Sequence, residues 1–143
     1  MILPEQITGG SLMAVTDAPS DQTFVHTHLA DTAFKEGLRP YASYRDLGMA
    51  RGSAGRATAH VIRFHPPCTD EVRVWHTHDV EFQMVYVLKG WVVAEMEGHE
   101  PVKMVAGSAW MQPPKIRHRL VDYSDDCEVL EVVLPADFET ELV

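Results

Sequence analysis

Cysteine is scarce in this chain. Cys68 and Cys127 are the only two among 143 residues, far apart and in no metal-binding spacing, which excludes a disulfide framework or a zinc ribbon. Two free thiols in a reducing compartment are the expectation. Basic residues are also few: Lys and Arg number 12 against 21 Asp and Glu, for a formal charge of −9. That balance excludes a broad electrostatic footprint for DNA, RNA or anionic lipid. A small molecule is the expected partner, with no nucleic acid and no membrane. Long apolar runs are missing too, since Met84–Leu88 stops at Lys89, far short of the roughly 20 residues a membrane helix needs. Met1 to Glu5 offers no basic start followed by an apolar stretch, so the expected location is cytoplasmic. At 45% hydrophobic and 23% charged, the composition is that of a folded domain with a real core.

A sustained helical period is the last absence. Only Leu29–Gly37 has a short helical reading. What the chain does contain is a series of short runs rich in Val, Ile, Tyr and Trp: Thr58–Phe64, Val72–His76, Met84–Leu88, Trp91–Met96, Val102–Val105 and Glu128–Leu134. Gly90 and Gly98 sit at hairpin-like positions between them. Many short strands with frequent turns predict an all-β sandwich or barrel. The length fits one domain spanning 1–143. Within it, residues 1–40 read as an irregular extension that drapes over the barrel or crosses to a partner, 41–135 as the barrel and 136–143 as a tail. Exposed strands and the extension predict a homodimer sharing a sheet edge or exchanging strands.

His-Thr-His occurs twice, at 26–28 and 76–78. The residues after the first copy do not match those after the second, so the first is read as chance. In a strand, His76 and His78 project to one face and can grip one ion. After a polar turn, Gln83 opens a new strand in which Gln83, Val85 and Val87 share a face, and the antiparallel return brings Gln83 toward the histidines. His118 enters with another strand after Pro113-Pro114. Three imidazoles and one amide oxygen converging inside a barrel would make a metal site with room for water or substrate.

These residues resemble the two cupin motifs. His76-x-His78-x4-Gln83-x6-Gly90 is similar to motif one, with Gln83 where the family carries Glu. Gly107-x5-Pro113-x-Lys115-x2-His118-x3-Asp122 is similar to motif two, with Lys115 in place of a glycine and Asp122 in place of an asparagine. The resemblance implies a jelly-roll barrel, or double-stranded β-helix, with one divalent transition metal per chain near one end; Fe, Zn, Ni, Mn and Cu all suit imidazole. Its ligands would be His76, His78, His118 and Gln83. Glu81 is the rival to Gln83, though it leaves two residues after His78 and eight before Gly90. Gln83 could instead hydrogen-bond a ligand histidine. A neutral amide leaves the ion's charge uncompensated and makes it a stronger Lewis acid. Arg63 is the candidate for holding a substrate carboxylate, while His60 and His65 read as surface or rim residues.

Three functions fit. The first is a metalloenzyme acting on a small polar organic molecule by dioxygenase or lyase/isomerase chemistry. The second is a binding or sensing barrel, and the third a barrel with a purely structural metal. No residue in the sequence nominates itself as catalytic base.

Overall fold

The computed structural model describes residues 21–37 and 39–143. The first half of the expected extension, residues 1–20, lies outside the described residues, as does Leu38. In chain order the described elements are β1 (Lys35–Glu36), β2 (Ala42–Asp46), α1 (Met49–Gly52), β3 (Thr58–Phe64), β4 (His76–Asp79), β5 (Phe82–Lys89), β6 (Trp91–Met96), β7 (Val102–Val105), β8 (Ala109–Met111), β9 (His118–Tyr123), β10 (Glu128–Leu134) and β11 (Glu139–Leu142). They form a six-stranded sheet in the order β1-β2-β3-β10-β5-β8 and a five-stranded sheet in the order β11-β4-β9-β6-β7. All pairings are antiparallel. This is the all-β jelly roll that the punctuated strand pattern predicted.

Inward-facing residues change character along each strand. On β5 the row runs Gln83, Val85, Val87; on β3 it runs His60, Ile62, Phe64; across β10 it runs Glu131, Val129 and on to Cys127. Each row begins polar at one end of the barrel and ends apolar at the other. The apolar end is the core, where Val87, Val92, Val129 and Cys127 are fully buried. Phe64 stacks on Tyr123 there, with ring centroids 5.0 Å apart. Each such valine contributes about 1.5–3 kcal/mol by leaving water. The polar end lines a cavity of about 380 Å³.

The motif-one glycine has a backbone reason. Gly90 turns the β5–β6 hairpin at φ +69°, and a Cβ there would run into the Ser124 and Asp126 side chains.

Three expectations need correction. Leu29–Gly37 holds a turn and β1 rather than a helix, and α1 is the short helix instead. Val72 to Trp75 is turn and coil, with strand beginning only at His76. There the Arg73 guanidinium caps the backbone carbonyls of Val121 and Cys68 at 2.7 and 3.2 Å, and the Val72 N–H closes a turn onto Thr69. Finally, residues 136–143, read as a tail, contain β11, paired to β4 from Glu139↔Asp79 to Leu142↔His76.

Part of the described extension packs on the outside of the six-stranded sheet. Thr23 N–H donates to the Gly52 carbonyl at 2.9 Å, Thr27 Oγ1 to the Leu47 carbonyl at 3.0 Å, and the Phe34 ring lies 3.9 Å under the Arg63 guanidinium.

Candidate metal centre

β4 and β9 are neighbours, and their register sets His76 directly opposite His118. His78 follows two residues on, on the same face. The three rings approach one another with centroids 4.1 to 4.9 Å apart. One nitrogen from each lies within 4.8 Å of the others.

Each Nδ1 is engaged from behind. His76 Nδ1 lies 2.9 Å from the Val74 carbonyl, and His118 Nδ1 lies 2.9 Å from the Ile116 carbonyl. A carbonyl only accepts, so both Nδ1 atoms carry the proton and both Nε2 atoms keep a lone pair. His78 Nδ1 meets Thr140 Oγ1 at 2.8 Å, supplied by β11. Anchoring of this kind fixes ring orientation and raises the basicity of a metal-binding nitrogen. Burial keeps all three rings neutral: it pushes His76 down to about 3 and His78 to about 4, and lowers His118 as well. Three neutral, oriented imidazoles are the donor set a divalent transition ion takes.

Gln83 is 2% exposed and lines the same cavity. Its Nε2 donates to Glu131 Oε2 at 3.0 Å, while its Oε1 accepts from Gln112 Nε2 at 3.1 Å. That same Gln112 nitrogen lies 2.9 Å from His118 Nε2. Gln83 Oε1 and the lone pair of His118 therefore share one donor, which places the amide oxygen on the histidine side.

Sequence reasoning missed a second polar group on this wall. Glu131 stands opposite His60 in the β10–β3 register, and its Oε1 is 2.8 Å from His60 Nε2. Burial alone would push the Glu131 carboxyl up; hydrogen bonds and charge from His60, with the Gln83 amide, outweigh it and hold the carboxyl below its usual range. His60 thus lies on the cavity wall rather than the surface, edge-on to Tyr44. The available signal was parity, since His60 shares the inward face with Ile62 and Phe64. His65 is held by Ser43 Oγ.

Arg63 has the other parity. It is exposed, pairs with Glu128 at 3.2 Å and covers Phe34. Its position on the outer face corrects the expectation that it holds substrate. Glu81 sits exposed in the β4–β5 turn, outside the cavity lining. The first His-Thr-His copy is also elsewhere: His28 is exposed, with its Nδ1 accepting from the Ala30 N–H in a turn. Both cysteines are free, and burial raises the Cys127 thiol to about 12.

Comparison with solved structures gives the same fold. KdgF from Halomonas sp. superposes with a TM-score of 0.64 at 20% identity, covering 78% of this chain and 94% of that one. The polyketide cyclase RemF from Streptomyces resistomycificus gives 0.67 at 17% identity, covering 85% and 86%. Oxalate decarboxylase from Bacillus subtilis gives 0.61 at 15% identity, covering 87% of this chain but 34% of that longer one. No curated protein matches this sequence. The family model described as Cupin domain matches residues 62–133, half of the chain and the half that carries all three histidines. With its jelly roll and its pair of histidine motifs, the chain belongs to the cupin family.

Proposed function

We propose that this protein is a metal-dependent enzyme acting on a small polar organic molecule. One divalent transition metal would be held by His76, His78 and His118, with Gln83 Oε1 as fourth donor. The observation that carries this reading is the set of three imidazoles turned by their Nδ1 partners toward one point on the wall of a cavity of about 380 Å³. That volume suits a small metabolite rather than a polymer. Such an ion supplies Lewis-acid polarisation of a substrate oxygen.

Between dioxygenase and lyase/isomerase chemistry, the geometry favours the second. Glu131 presents a carboxylate to the cavity beyond the histidines, and His60 holds it in place. As the one carboxylate on the wall, it would take a substrate proton by giving up one of its two hydrogen bonds, to His60 or to the Gln83 amide. Ile62, Phe64, Trp110, Leu120 and Phe138 give the wall its apolar stretches.

The protein would act in the cytoplasm as a homodimer. Support for a second copy comes from the outer face of the six-stranded sheet, where Met84, Tyr86, Leu88, Met111, Leu130 and Val132 make an uncharged surface. On a chain carrying −9, that is where two copies approach with least repulsion.

Elemental analysis of protein purified without added metal tests the site. One metal per chain is expected, with His118→Ala folded but at least about tenfold weaker in metal affinity. Equal occupancy in that variant would refute the assignment. Unfolding on chelation would favour a structural ion. An occupied site with no turnover across a substrate screen would favour a binding or sensing barrel.

A further inference from the structure

Among the described residues, the ion pairs occupy Arg56, His60, Arg63, Arg73, Lys115, Arg117 and Arg119. Arg39 is in none of them, and it is the one lysine or arginine on the cavity wall. It is partly buried, and its Nη1 donates to Tyr41 Oη at 2.6 Å. That bond fixes the guanidinium and leaves the Tyr41 O–H its own proton to give. Arg39 lines the same cavity as all three histidines.

The local charge is unbalanced. Three neutral imidazoles and two amides bring nothing to offset a divalent ion, Arg39 adds a further positive charge, and Glu131 is the one carboxylate on the wall. A partly buried guanidinium without a counter-charge is costly unless a ligand supplies one. We infer that Arg39, with the Tyr41 hydroxyl, anchors a carboxylate, so that the molecule this cavity takes is a small organic acid with another of its oxygens facing the three histidines. A planar carboxylate matches one guanidinium fork and one phenol. A phosphate gathers more donors than that, as at helix N-termini and clustered cations. The second contact rests on the metal-centre reading above; the carboxylate anchor stands on Arg39 itself.

The test is binding measured by calorimetry and thermal shift on the metal-loaded full chain. The probes are acetate, lactate, malate, succinate and citrate, each beside its neutral amide, and inorganic phosphate. At least one acid is expected to bind where its amide does not. Arg39→Gln should weaken that acid at least about tenfold, Arg39→Lys should keep part of the affinity, and the unfolding midpoints of the unliganded variants should stay near wild type. The inference is overturned if no acid exceeds its amide, if phosphate binds best, or if Arg39→Gln binds the acids as wild type does. Metal content read on the same samples separates the two readings. A metal-free protein with Arg39-dependent acid binding would sink the proposed function alone, and a loaded protein indifferent to Arg39 would sink this inference alone.

Discussion

An amide and a carboxylate have nearly the same shape, yet position 83 does not receive them equally. Gln83 Nε2 donates to Glu131 Oε2 at 3.0 Å. A glutamate at 83 would set two carboxylates at that distance in a buried site, where one must take up a proton or move. This accounts for the one departure in motif one: the residue must donate on one side and offer an oxygen on the other. Gln83→Glu is therefore expected to destabilise the fold by on the order of 2 kcal/mol, whereas the exchange Gln83→Glu with Glu131→Gln restores the donor and recovers most of that loss. The exchange should also bind metal more tightly than wild type, since it moves the negative charge to the ligand side. Denaturant unfolding and metal titration of the two variants check both statements; a double variant no more stable than Gln83→Glu would show that the pair is not coupled.

At the scale of elements, the centre depends on a strand outside the two motifs. β11 pairs along β4 and brings Thr140 to His78. Thr140→Val keeps the β-branched shape of the strand residue and removes the hydroxyl. His78 should then lose its anchor and metal affinity should fall about 10- to 100-fold, with the unfolding midpoint little changed; calorimetric titration reads this, and unchanged affinity would leave Thr140 without a part in the site. This strand was hidden in the sequence because Glu139 to Leu142 lacks the alternation of a half-buried strand, every residue being exposed. Strands packed on the core were legible: β3, β6 and β10 match the runs of Val, Ile and Trp residue for residue, as does the largely exposed β7, whose valines gave it away. The triad was legible for a related reason, since period-two spacing and fixed motif lengths decide where imidazoles point. Glu131, Gln112 and Arg39 were not, because each joins the site through register or loop placement between segments far apart in the chain. Arg63 shows the same limit from the other side: its strand was identified, but not which parity faced inward.

On the whole molecule, one face stands apart from an acidic surface. Tyr86, Leu88 and Met111 are 38%, 45% and 61% exposed on the outer side of the six-stranded sheet, and β5 and β8 hold them side by side through the pairs Met84↔Met111 and Tyr86↔Ala109. Sedimentation is expected to find a dimer in wild type and a monomer in Met111→Lys, with metal content equal in both; a monomeric wild type would refute the dimer. The long reach of the pocket's contacts has a consequence in time. His60 and Glu131 are separated by 71 positions, His78 and Thr140 by 62, and Gln83 and Glu131 by 48. Contacts this distant form late, in folding that runs on the slow side for a domain of this size. No short stretch of the nascent chain can hold the three imidazoles at their working separation, so an ion cannot template the fold from its early steps. An ion would meet a barrel already closed, so its loading would be a step separate from the early stages of folding.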